Sequence, residues 1–156
     1  MLPLTHLLSG LAVAVWAFEK GLFPGEYVVY TSLISTFIDV DHLFSYLSSN
    51  GEGFRGKWNI LVVDKLRYQR TLIHHAKGML LISVLISLTY FIKTEVYYCL
   101  TLSYGTHMLL DHLHIRNLPK VRKYHIEGFG MILPVSILEL GLDVFFIAYL
   151  LGWSLL

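Results

Sequence analysis

The chain has one cysteine and little charge: only 15% of its 156 residues are Asp, Glu, Lys or Arg. A single Cys99 excludes an internal disulfide, and its place in an apolar stretch reads as a small buried filler. Soluble domains of this size carry about a quarter charged residues. The deficit, with 55% apolar residues and a mean hydropathy of +0.60, points to lipid as the solvent for much of the surface. A net charge of +1 and the lack of a basic stripe with interleaved aromatics give no sign of a nucleic-acid partner, and none is expected. Also missing are a glycine-rich phosphate loop, a nucleophile elbow, a cysteine-based zinc signature, low-complexity tracts and clear repeats. Ala12-Val13-Ala14 mimics a signal cleavage site, but no basic residue precedes it and the apolar run before it is short. The first helix is therefore expected to remain in the mature chain.

What is present is apolar sequence in five segments, roughly 4–18, 26–48, 71–92, 95–114 and 131–155. They predict a single all-α domain, an integral membrane bundle of about five transmembrane helices. Segments three and five come closest to spanning length. Gly21, Pro24 and Gly25 break the chain between the first two helices, and Thr71 is placed as the N-cap of the third. Nine of the twelve Lys and Arg fall in the 49–70 and 115–130 loops. The positive-inside rule then puts those loops and the N-terminus in the cytoplasm, as expected for a prokaryotic inner membrane. Tyr27, Tyr30, Tyr97, Tyr98 and Trp153 lie near helix ends and read as interfacial aromatics.

Polar islands interrupt the apolar sequence: Thr5-His6, Asp39-Val40-Asp41-His42, His74-His75, and His107 with Asp111, His112 and His114. In the five-helix arrangement all four islands reach the same layer, on the cytoplasmic side. His107, Asp111 and His114, at i, i+4 and i+7, share one helix face, as do Asp39 and His42. One histidine near an interface is ordinarily a snorkelling or hydrogen-bonded side chain. Several at one depth, with carboxylates, point to metal, because ionisable groups inside a membrane are costly and mark function. Imidazole and carboxylate suit zinc, and mixed N/O sets accept manganese or iron. His6, Asp39, Asp41, His42, His74, His107 and Asp111 exceed one tetrahedral site and leave room for two or three ions. Asp41 is either a bridging ligand or the base that orients the attacking water. Arg70 either holds an anionic group or anchors to lipid headgroups. His75 is either a ligand or a support behind one, and His112 and His125 read as interfacial or supporting. His114 and Lys77 are placed behind the ligands.

Ser136, Glu139 and Asp143 form a second polar feature on one face of the fifth segment, with both acids two to three turns inside. They either pair with Lys77, accept protons from the ligand histidines, or fix helix packing.

Pro3-Leu4-Thr5-His6, Asp39-Val40-Asp41-His42, Arg70 followed by His74, and His107-x-x-x-Asp111 together resemble the membrane-bound metal-dependent hydrolase family. This is a family of small bacterial inner-membrane proteins with a LexA-regulated member. The resemblance runs to about Pro134, where Gly128 to Pro134 is similar to a glycine-to-proline closing motif. The family's His-Arg and Thr-His-Ser are here Gln69-Arg70 and Ile73-His74-His75, which leaves His75 to stand in for a missing histidine. The island order also resembles, at a distance, zinc-dependent phospholipase C and the S1-type nucleases. These resemblances imply a phosphoester hydrolase with a metal-activated water, in which Arg70 would hold the phosphoryl group, and a site at headgroup depth favours a lipid or amphiphilic substrate. The alternatives are a divalent metal transporter or binding protein without hydrolytic activity, and an assembly factor with a structural metal.

Overall fold

The structure is a computed structural model that describes residues 3–38, 75–117, 122–126 and 131–153. Five helices follow in chain order: α1 (Pro3–Glu19), α2 (Glu26–Phe37), α3 (Ala76–Thr89), α4 (Thr94–Asn117) and α5 (Ile137–Trp153). Between α4 and α5 an antiparallel ladder joins β1 (Arg122–Ile126) to β2 (Met131–Val135), with Tyr124 opposite Leu133.

Gly21 ends α1 with φ at +69°, a conformation that costs glycine little. Around it the Leu22 N–H donates to the Ala17 carbonyl and the Gly21 N–H to Phe18, closing the helix in a Schellman turn. The chain then reverses into α2. α1 packs against α2, α4 and α5, while α4 also contacts α2 and α3. Ala14, Ala17, Phe23, Tyr27 and Cys99 form the buried apolar cluster.

The seams between helices are lined by small and hydroxyl residues. A Cβ added at Gly10 would stand 2.8 Å from the Ser35 Cβ, so α1 and α2 touch nearly backbone to backbone. Ser32 Oγ donates to the Leu7 carbonyl at 3.1 Å, and Ser103 Oγ donates to the Thr31 carbonyl at 3.1 Å. Such contacts hold helices together where apolar side chains gain nothing by facing inward. Burial is inverted accordingly. The largest fully buried side chains are His6, His107 and Glu139, while Leu80, Phe91, Ile92 and Ile137 are each at least 68% exposed.

Among the described residues each of the five expected segments contributes one helix, with 39–48 of the second and 71–74 of the third outside the described residues, and the short β1–β2 ladder is added to them. Two expectations change. No helix among the described residues is long and apolar enough to cross a membrane. α3 has 14 residues and α5 has 17. At ~1.5 Å per residue they reach about 21 and 26 Å, short of a hydrocarbon core of ~30 Å. α4 is longer, but Glu95, Asp111 and Arg116 together with three histidines make it too polar. The fifth segment also does not start as a helix at residue 131, because Met131–Val135 is a strand. Pro134 is the cause: it lacks an N–H and biases Leu133 toward extended backbone.

Candidate metal centre

His6 sits in the first turn of α1, and His107 and Asp111 sit one turn apart on α4. Where α1 packs on α4 the three meet. His6 Nε2 lies 3.3 Å from Asp111 Oδ1, and His107 Nε2 lies 3.4 Å from Asp111 Oδ2. The imidazoles stack with centroids 4.1 Å apart. Both histidines are fully buried, whereas the Asp111 side chain keeps 18% of its surface exposed. One ligand atom from each residue falls within 4.8 Å of the others, a spacing that suits a single ion between them.

The tautomer of His107 follows from its other partner. Its Nδ1 is 2.7 Å from the Ser35 carbonyl oxygen, which can only accept, so Nδ1 carries the proton. In the neutral ring Nε2 then presents a lone pair toward Asp111. A lone pair and a carboxylate oxygen facing each other at this distance need a cation between them, either a proton or a metal ion. Backbone carbonyls that fix a ligand histidine in this way are a common outer shell of metal sites.

Around the three, Thr5 Oγ1 donates to Glu139 Oε1 at 3.3 Å. Glu139 itself is held by the N-cap of its helix, because its backbone N–H donates to Ser136 Oγ at 3.0 Å. Glu139 thus occupies the first turn of α5, not a position two to three turns inside, because the helix begins at Ile137. Lys77, one of its expected partners, is exposed on α3. Asp143 is half-buried one turn further on, and its Oδ1 has no hydrogen-bond partner among the described residues.

His114 is buried and lies within electrostatic reach of Asp111 and His6. Its Nδ1 likewise has no hydrogen-bond partner among the described residues. It is not one of the three residues whose ligand atoms converge. His75 is the exposed N-cap of α3, the place expected for Thr71, and His112 is exposed on α4. His125 lies on β1 opposite Ile132. Asp39, Asp41, His42, Arg70, Thr71 and His74 lie outside the described residues. α2 ends at Phe37 with Ile38 as its C-cap, three residues past the Ser35 carbonyl that touches His107.

Sequence reasoning misses Ser35, Thr5 as a donor, and the cap of α5. The cap has a signal, since Ser136-x-x-Glu139 ahead of an apolar run is a helix-start signature. A backbone carbonyl such as that of Ser35 leaves no mark in residue identity.

No curated protein and no solved structure matches the chain. A family model described as YdjM inner membrane protein matches residues 1–154. That match takes in His6, His107, Asp111 and every helix, and the chain belongs to the YdjM inner membrane protein family.

Proposed function

We propose that this chain is a membrane-embedded, metal-dependent hydrolase acting on phosphoester bonds of lipid or amphiphilic substrates. The observation that carries the reading is the convergence of His6, His107 and Asp111, with the Ser35 carbonyl holding His107 in the ligand tautomer. The donors fit zinc, with manganese or iron as further options. When bound, the ion would supply the Lewis acidity that brings a water molecule's pKa near neutrality. Asp39, Asp41, His42 and His74 are the residues for a second or third ion, and Arg70 suits an anionic phosphoryl group. The inverted burial, the apolar exposed faces of α3 and α5 and the family's description support placement in a prokaryotic inner membrane. The Lys and Arg residues concentrated in the 49–70 and 115–130 stretches of sequence support a cytoplasmic N-terminus. The resemblance to metal-dependent hydrolases supplies the reaction class.

The test is elemental analysis of detergent-purified protein, followed by a screen of phosphoester lipids with and without chelator. More than one equivalent of zinc or manganese is expected, with marked loss in His107→Ala and Asp111→Ala. Near-zero metal in all three samples removes the basis for the reading. Metal without turnover on any phosphoester leaves a binding protein.

A carrier is the second reading, and Asp143 is what favours it, as a half-buried carboxylate on α5 with one oxygen lacking a hydrogen-bond partner among the described residues. Glu139, the other group such a route would use, is instead beside Thr5 in the layer of His6. Asp143→Asn separates the two readings. It should abolish ion flux in vesicles if the protein is a carrier and spare much of the hydrolysis if it is an enzyme.

A further inference from the structure

The three converging residues are not held equally. Asp111 and His107 lie well inside a helix of 24 residues, and His107 is also tied to the Ser35 carbonyl. His6 is only the fourth residue of α1, in the turn where backbone N–H groups have no partners within the helix. A first turn frays readily, yet His6 must keep its ring flat against His107 and its Nε2 on Asp111.

Two hydrogen bonds among the described residues help to hold that turn. Ser9 Oγ donates to the His6 carbonyl at 3.1 Å, from within α1 itself. Thr5 Oγ1 donates to Glu139, which comes from a different helix and is 1% exposed. Glu139 does not wander, since it occupies the third position of α5 and Ser136 caps its N–H. The first turns of α1 and α5 are therefore clamped together one residue away from His6.

On the reading of His6, His107 and Asp111 as a metal centre, we propose that Glu139 is a positioning residue for it. Glu139 acts through Thr5, fixing the first turn of α1 so that His6 meets an ion already held by α4. The role requires a hydrogen-bond acceptor at position 139 and a hydroxyl at position 5. It does not require the negative charge. Partners hydrogen-bonded directly to a ligand typically contribute about 10- to 100-fold in metal affinity, and a clamp one residue removed acts at the low end of that range.

The experiment is zinc affinity by chelator competition on the full chain in detergent, with cobalt absorption as a report on ligand geometry. Glu139→Met and Thr5→Val should each weaken zinc about 10-fold and alter the cobalt spectrum. Glu139→Gln and Thr5→Ser, which keep acceptor and donor, should bind nearly as the parent does. The Glu139→Met/Thr5→Val double variant should lose little more than either single variant, because both remove one contact. A loss in Glu139→Gln as large as in Glu139→Met would overturn the proposal in favour of a role for the charge. Parental affinity in both Glu139→Met and Thr5→Val would overturn it outright while leaving the metal centre standing. A parent that binds no zinc or cobalt would overturn both. Should Glu139→Met fail to fold, Thr5→Val against Thr5→Ser decides alone.

Discussion

The imidazole of His6 lies against that of His107 with the two planes only 23° from parallel, and each ring turns Nε2 to a different oxygen of Asp111. Two stacked cations would repel, and one carboxylate balances one positive charge. The arrangement therefore suits neutral rings that offer lone pairs to an ion shared with Asp111. Asp111→Asn keeps the shape and removes the charge. Its metal content, read by elemental analysis, should fall to near background while the protein still elutes as a folded species. Full metal loading in this variant would show that the carboxylate is not a ligand.

Gly10 governs the same site from a distance. An alanine there places its Cβ 2.8 Å from the Ser35 Cβ and 3.2 Å from the Ser32 Cα. Backbone on that side cannot yield cheaply, so α1 and α2 must separate and carry the Ser35 carbonyl away from His107. Overpacking of this kind costs about 1–3 kcal/mol, against a gain of up to ~1 kcal/mol from alanine's helix preference. Gly10→Ala should lower the thermal midpoint in detergent and weaken zinc binding. An unchanged midpoint would mean the seam is looser than its distances imply.

The ligand face of α4 is readable in the sequence because side chains four apart on a helix must share a face, whatever surrounds them. His6 is readable only as an apolar segment opening on a polar pair, and its meeting with α4 depends on the helices ending in one layer. The start of α5 is not readable from its hydropathy. Met131-Ile132-Leu133-Pro134-Val135 is apolar, and a short apolar run fits a strand as well as a helix. Starting the helix at residue 131 puts Glu139 too deep, although Ser136-x-x-Glu139 marks the true beginning. Chain reversal is plain, since Gly21 takes the left-handed turn that its type suggests.

At the other end of the molecule, Lys93 Nζ stands 5.4 Å from the centre of the Tyr27 ring, in the turn between α3 and α4. A hydrogen bond to Tyr27, and after it electrostatic attraction, raise the Lys93 pKa above the usual 10.5. A cation whose folded pKa is raised stabilises fully below the unfolded value, and the gain disappears as pH climbs through the folded value. The thermal midpoints of the parent and of Lys93→Met should therefore differ at neutral pH and converge above pH ~10.5. A constant gap across that range would assign the difference to packing of the lysine stem.

Cys99 is 3% exposed, receives the Thr31 hydroxyl at 3.3 Å on its sulfur, and belongs to the apolar cluster under the α1–α2 turn. Thiol reagents attack the accessible thiolate. A membrane-permeant maleimide should therefore label the folded protein slowly, and label it fully in strong denaturing detergent, as read by intact mass. Rapid labelling without denaturant would mean that α2 and α4 part readily at this point.

Ser136 offers a test of the α5 start that does not touch the ligands. Its hydroxyl accepts the N–H of Glu139 in a buried setting, so Ser136→Ala strands that donor. Loss of an N-cap costs ~1 kcal/mol, toward ~2 kcal/mol where no water can replace it. The midpoint should drop accordingly, and amide exchange should quicken in the first turn of α5 before it does in the body of α4. Ser136→Thr keeps the acceptor and should restore both. If zinc affinity falls in step with Ser136→Ala stability and recovers with Ser136→Thr, the clamp from α5 reaches His6 through Glu139 and Thr5. If stability falls while affinity holds, the cap serves the helix alone.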